Sequence, residues 1–119
     1  MNHMKVGEIG EQAAADNLIN NGYQIMARRY RSKSGEIDII AKHKGVIVFV
    51  EVKTRRNTAY GVPAEAVNYH KQHKIINTAL CYLNQTRNTD VPCRFDILEI
   101  LLSPNGTFQY NHIVNAFGR

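Results

Sequence analysis

Long apolar runs, cysteine and acidic residues are what this sequence has little of. No apolar stretch approaches the roughly 20 residues that a helix needs to cross a bilayer, which excludes a helical membrane protein. No cleavable signal pattern opens the chain, so the expected compartment is the cytoplasm, with no membrane partner. The two cysteines, Cys81 in an apolar helical stretch and Cys93 at a strand start, are too few for a disulfide framework and too isolated for a zinc motif. Repeats, low-complexity segments and interdomain linkers are absent as well. The 119 residues therefore form one domain, spanning 1–119, with one sheet and a few helices around a single core and no room for a separate specificity domain.

The shortage of acid, 10 Asp and Glu against 15 Lys and Arg, leaves a net charge of +5. A sequence pI near 9.4 favours polyanionic partners. Nine of the fifteen basic residues fall between Arg28 and Arg56: Arg28, Arg29, Arg31, Lys33, Lys42, Lys44, Lys53, Arg55 and Arg56. Only Glu36, Asp38 and Glu51 share that interval. A solubilising face normally mixes both signs, whereas three carboxylates embedded in a basic stretch suit a metal-assisted site that handles a phosphate backbone.

Those carboxylates lie on a predicted hairpin. Gly35 to Ala41 and Val46 to Lys53 are β-branched, apolar runs on either side of Lys42-His43-Lys44-Gly45. With Lys44-Gly45 as a two-residue loop, His43 pairs with Val46, and counting outward sets Asp38 opposite Glu51 and Glu36 opposite Lys53. One face then collects Ile37, Ile39, Val46, Val48, Val50 and Val52. The other holds Ile40, Ile47 and Phe49 near the turn and Glu36, Asp38, Glu51 and Lys53 at the far end. Directly opposed residues bring their Cβ atoms to about 5 Å, so Asp38 and Glu51 stand side by side. A buried pair of like charges needs a cation or a proton between them. Two carboxylates completed by water and phosphate describe a Mg²⁺ site, which Mn²⁺ also fits, rather than a zinc site. Lys53, on the same face, is suited to polarise a water or hold a phosphate oxygen. A solvated surface hairpin is the competing account, but Val46 to Val52 is apolar on both faces except at Glu51, the pattern of a covered central strand.

Along the rest of the chain, Val6 to Asn21 reads as a helix stopped by Gly22. Gly7, Glu11, Ala14 and Leu18 share a face with Gly10 and Ala15 beside them, so small residues let the helix approach the sheet with Glu11 in the approaching row. Glu8 suits a first turn favoured by the helix dipole. Tyr23 to Arg31 is the first strand. Pro63 is expected to start a second helix running to about Asn84, with Val67, Ile75, Ile76, Ala79, Leu80 and Leu83 as its apolar side. His70 and His73 have the spacing of a ligand pair but no third ligand. Lys71 and Lys74 are candidate phosphate contacts. Arg94 to Leu102 and Thr107 to Val114 are the last two strands.

The order of one helix, three strands, one helix and two strands, with Glu on the first helix, Asp on the second strand and Glu-x-Lys on the third, resembles the PD-(D/E)XK nuclease superfamily. Gly-Glu-Ile-Gly-Glu-x-x-Ala (7–14), Gly-Glu-Ile-Asp-Ile-Ile-Ala (35–41) and Val-Phe-Val-Glu-Val-Lys-Thr-Arg (48–55), followed by a Lys-Gln-His-Lys helix, look more closely like the YraN-like family, relatives of archaeal Holliday-junction resolvases. The resemblance covers nearly the whole chain. It implies a restriction-endonuclease-like α/β fold, a mixed sheet flanked by helices. It implies Asp38 and Glu51 as metal ligands, Lys53 as the catalytic lysine, and Glu11 as the first-helix acid that helps hold the metal. Ile37 stands where the superfamily name has proline, a departure that leaves the ligands untouched.

The functional expectation is a Mg²⁺-dependent phosphodiesterase acting on DNA, branched or otherwise structured. Arg28, Arg29, Arg31, Arg55, Arg56, Lys71 and Lys74 would grip backbone phosphates without reading bases. A chain this small would act on both strands of a junction as a homodimer. The alternatives are a nucleic-acid-binding protein that keeps the fold without catalysis, and a subunit of a DNA-processing complex.

Overall fold

A computed structural model describes residues 5–56 and 67–118. The elements run α1 (Val6–Asn20), β1 (Gln24–Ser32), β2 (Gly35–His43), β3 (Val46–Arg55), α2 (Tyr69–Gln85), β4 (Cys93–Leu102) and β5 (Phe108–Phe117). This is the expected α/β order. The five strands form one mixed sheet in the order β1-β2-β3-β4-β5, antiparallel except for the parallel β3–β4 pair. A parallel pair cannot be closed by a hairpin and needs a crossover, and α2 lies within that connection. The helices cover opposite faces. Ala13, Ala14, Ala15 and Leu18 of α1 pack with Ile39, Ala41, Val48, Val50, Leu98 and Ile100. Ile75, Ile76, Ala79 and Tyr82 of α2 pack with Ile37, Ile40, Ile47, Phe49, Phe95 and Ile97.

The β2–β3 turn is the one the sequence demands. Lys44 (φ 52°) and Gly45 (φ 80°) both adopt positive φ, as a two-residue loop matched to strand twist requires. His43 pairs with Val46, and the ladder continues to Ile39–Val50. There it ends. β2 stays hydrogen-bonded to β1 out to Gly35, and β3 to β4 out to Arg55, so the two central strands part company as a fork. Ile37 consequently leaves the face predicted for it and joins the α2 core, because beyond Ile39 the pleat shared with β3 no longer fixes its side. Val46, Val48, Val50 and Val52 keep the predicted face toward α1.

α1 sits close to β3 because of one glycine. A Cβ at Gly10 would collide with the Thr54 side chain, whereas one at Gly7 would meet nothing. Gly22, at φ 88°, stops the helix as expected. α2 begins at Tyr69 rather than at Pro63, which lies outside the described residues. Its N-cap is Asn68, whose side chain accepts from the Lys71 N–H, the arrangement that satisfies an otherwise orphaned first-turn donor. Leu80 is exposed, not part of the apolar side, and Val67 is buried ahead of the helix. Thr78 and Tyr82 are buried instead, Tyr82 wedged edge-on against Tyr30 and Phe49.

One buried charge holds the far end of the sheet. Asp96, fully enclosed on β4, accepts from Arg94 Nε at 3.0 Å and the Asn115 N–H at 2.9 Å, and bonds His112 Nε2 at 2.8 Å. It lies where the β4–β5 register shifts between Phe95 and Ile97. Its carboxylate satisfies the backbone donor that the irregular ladder would leave unpaired.

Candidate functional site

The fork between β2 and β3 is where the carboxylates meet. Past Ile39–Val50 the Val52 N–H loses its strand partner, and the Asp38 carboxylate takes its place, with Oδ2 2.8 Å from that nitrogen. Glu51, 5% exposed, is close enough to Asp38 for each carboxyl to shift the other. The predicted side-by-side pair therefore forms, held by a backbone donor instead of by ladder pairing. Burial first, then the Glu51 carboxylate, push the Asp38 carboxyl up to about 8. Burial would raise Glu51 too. The hydrogen bond from Asp38 and the Lys71 ammonium outweigh it and hold Glu51 below the ordinary carboxylate value. The opposite shifts belong to the two groups together and favour a single proton held between them.

Lys71, from the first turn of α2, brings Nζ to 2.6 Å from Glu51 Oε2. The approach is oblique, so this buried oxygen has a cation beside it but no well-aligned hydrogen bond. Lys53 adjoins Lys71, and its ammonium is depressed by burial and then by that like charge.

Asp38 and Lys53 open into a cavity of about 570 Å³ between the fork and α1, lined also by Glu8, Glu11, Arg29, Glu36, Val52 and Thr54. Glu11 does face Asp38 across this space, as the small-residue row of α1 predicts. It is not unaccompanied. Arg28 Nη2 (3.3 Å) and Arg29 Nε (3.2 Å) both contact its carboxylate. Arg29 reaches it from a positive φ of 52°, uncommon for a non-glycine residue in a strand. Glu51 stands behind Asp38 on the α2 side and does not line the cavity. Among the described residues no three His, Cys, Asp or Glu side chains already form a metal-sized cluster. The donor set nevertheless fits a divalent ion. Two hard carboxylates lie together beside an open cavity, and the Lys71 ammonium already stands at one of them as a positive charge.

The other sequence-predicted residues divide into two groups. Arg31 pairs with Glu36 at 2.6 Å across β1–β2, so Glu36 does not answer Lys53, and Arg55 pairs with the buried Glu99 at 2.8 Å. With Arg28, Arg29 and Lys71, these basic side chains are already matched to carboxylates. Arg56 and Lys74 are exposed and have no ion-pair partner among the described residues. His70 and His73 are exposed on α2. Glu8, which the sequence suggested only as a helix-dipole residue, also reaches the cavity. Its spacing of three from Glu11 was the available signal.

Similarity to known proteins agrees with this arrangement in extent. Residues 10–100, which contain every carboxylate of the site except Glu8, match the model described as "Uncharacterised protein family UPF0102". A UPF0102 protein of Symbiobacterium thermophilum is 50% identical over 113 residues, covering 95% of this chain and 96% of its own length. One of Trichlorobacter lovleyi is 48% identical over 113 residues, covering 94% and 89%. One of Caldanaerobacter subterraneus subsp. tengcongensis is 44% identical over 119 residues, covering 98% of each. The chain belongs to the uncharacterised protein family UPF0102.

Proposed function

We propose that this protein is a metal-dependent phosphodiesterase of the restriction-endonuclease-like superfamily, acting on DNA that is branched or otherwise structured. The observation that carries the reading is the Asp38–Glu51 pair in the fork, a half-buried and a buried carboxyl that perturb each other beside an open cavity. Such a pair needs a proton or a cation to relieve its repulsion, and a divalent ion is the occupant that also brings chemistry. Asp38 and Glu51 would hold Mg²⁺ or Mn²⁺. The chemistry that the ion supplies when bound is Lewis acidity toward water and the scissile phosphate.

The chain's own residues account for the rest. Asp38 is fixed by the Val52 N–H at the wall of the cavity, so the carboxyl is held in place before a ligand arrives. Lys53, partly desolvated at the cavity wall, is suited to donate to a phosphate oxygen or orient the attacking water. Glu11 fixes Arg28 and Arg29 at the rim, where their remaining N–H groups meet a phosphate backbone. Arg56 and Lys74, exposed and without an ion-pair partner among the described residues, are further phosphate contacts.

A second reading, a DNA-binding protein without catalysis, has one observation in its favour: Glu11 and Glu51 are each neutralised by the protein's own cations. The test is cleavage of labelled linear, flapped and four-way-junction DNA with Mg²⁺ or Mn²⁺, by wild type, Asp38→Asn, Glu51→Gln and Lys53→Ala. The carboxylate variants are expected to lose cleavage while still binding DNA. Lys53→Ala is expected to slow it about 10²–10⁴-fold. Equal cleavage by all four would assign the activity to a contaminant, and DNA binding without cleavage by any would favour the second reading.

A further inference from the structure

We infer that Lys71 is the protein's own occupant of the cation position at Glu51, and that a divalent ion binds by displacing it; this rests on the metal-dependent reading above. Sequence position suggests Lys71 only as a surface phosphate contact. Its ammonium instead reaches inward, to 2.6 Å from a carboxylate whose side chain is 5% exposed, while its own side chain stays 44% exposed. The carboxylate is the fixed partner and the lysine the movable one.

Three features make this contact replaceable. First, Glu51 Oε2 has no aligned hydrogen bond despite its burial, so what it receives from Lys71 is charge without direction, which a smaller and harder cation supplies at least as well. Second, the Lys71 backbone is pinned at the start of α2, its N–H donating to Asn68 Oδ1 at 2.8 Å. The flexible four-carbon stem can swing without disturbing the helix. Third, Lys53 lies on the same strand two residues from Glu51, so two lysines serve one carboxylate region. An arriving divalent ion would make that crowding worse. Lys53 belongs to a central strand, whereas Lys71 has solvent to move into. The side chain already 44% exposed is the one that can leave, so the same residue balances the metal-free site and returns to solvent once the metal is in place.

Metal binding and the Lys71–Glu51 pair then exclude each other, and removing the lysine must tighten the metal. The experiment is a Mn²⁺ titration without DNA, read by calorimetry and by electron paramagnetic resonance of free Mn²⁺, on wild type, Lys71→Met, Lys71→Arg and Lys74→Met. Lys71→Met should bind Mn²⁺ more tightly by on the order of tenfold, within the usual range of coupling between two ligands of one protein. Lys71→Arg, which keeps a competing cation, should stay near wild type. Lys74→Met removes the same charge one turn away from an exposed position and should change affinity by less than about twofold, as expected for a screened charge. In chelator Lys71→Met should melt lower than wild type, and Mn²⁺ should raise its Tm by more.

If wild type binds Mn²⁺ and Lys71→Met binds it equally or more weakly, Lys71 is a structural tie between α2 and β3 and the inference fails alone. Equal tightening by Lys74→Met would also overturn it, by showing a long-range charge effect. If neither wild type nor Lys71→Met binds Mn²⁺, the inference and the metal-dependent reading fall together. Should Lys71→Met not fold, Lys71→Gln, which keeps a polar side chain there but carries no charge, gives the same comparison.

Discussion

Replacing Asp38 by Asn should stabilise the metal-free protein, because the wild-type fold holds a proton there that the unfolded chain releases. The folded carboxyl is raised from 3.8 to about 8, chiefly by burial. Between those values the unfolded chain binds fewer protons than the folded one, so stability falls as pH rises, by about 1.4 kcal/mol per unit for a single group. It is fully present below the unfolded value and lost once pH passes the folded one. At pH 7 the accumulated loss is at most on the order of 4 kcal/mol, and water entering the cavity reduces it to roughly 2 kcal/mol. Asparagine mimics the protonated acid. Its carbonyl can keep the Val52 N–H, and its amide can donate to Glu51. A gain of that size corresponds to a Tm increase of roughly 8 °C for a domain of this length. The assay is urea denaturation from pH 5 to pH 9 in chelator, wild type beside Asp38→Asn. The wild-type curve should decline with pH more steeply than the variant's. Added Mg²⁺ should raise only the wild type, by the linkage of ligand to the folded state. An Asp38→Asn protein no more stable than wild type at every pH would refute the shared-proton account of the pair.

Gly10→Ala should destabilise by about 1–3 kcal/mol in chemical denaturation, since the new methyl group must displace the stiff Thr54 side chain, and Thr54→Ala should restore part of the loss. Asp96→Ala should cost about 3–5 kcal/mol by leaving Arg94 and the Asn115 N–H without their acceptor. Burial raises the Asp96 carboxyl, but His112, Arg94 and the Asn115 N–H together hold it below its ordinary value. Its stabilising contribution is therefore present above about pH 4 and lost as pH falls through the depressed value, so acid unfolding followed by circular dichroism should shift to higher pH in Asp96→Ala. In DNA binding, Arg56→Ala with Lys74→Ala should weaken all sequences alike and flatten the salt dependence by about 0.9 for each phosphate no longer neutralised. Arg55→Ala should mainly reduce stability, because its guanidinium already holds the buried Glu99.

The hairpin was legible from the chain alone because its information is local. Lys44-Gly45 dictates the turn, the turn dictates register as far as Ile39–Val50, and that brings Asp38 and Glu51 to the mouth of the fork. The small residues of α1 likewise announce a close approach, and Gly10 against Thr54 is where it occurs. The sequence could not say where the ladder stops. That depends on β2 following β1 and β3 following β4, a competition among four strands that single-strand periodicity does not encode, and it carries Ile37 to the opposite face. Nor could it assign the cations. Lys71 is distant from Glu51 in sequence, as Arg28 and Arg29 are from Glu11, so which basic side chains meet phosphate and which already answer a carboxylate was decided only when α1 and α2 closed on opposite faces of the fork.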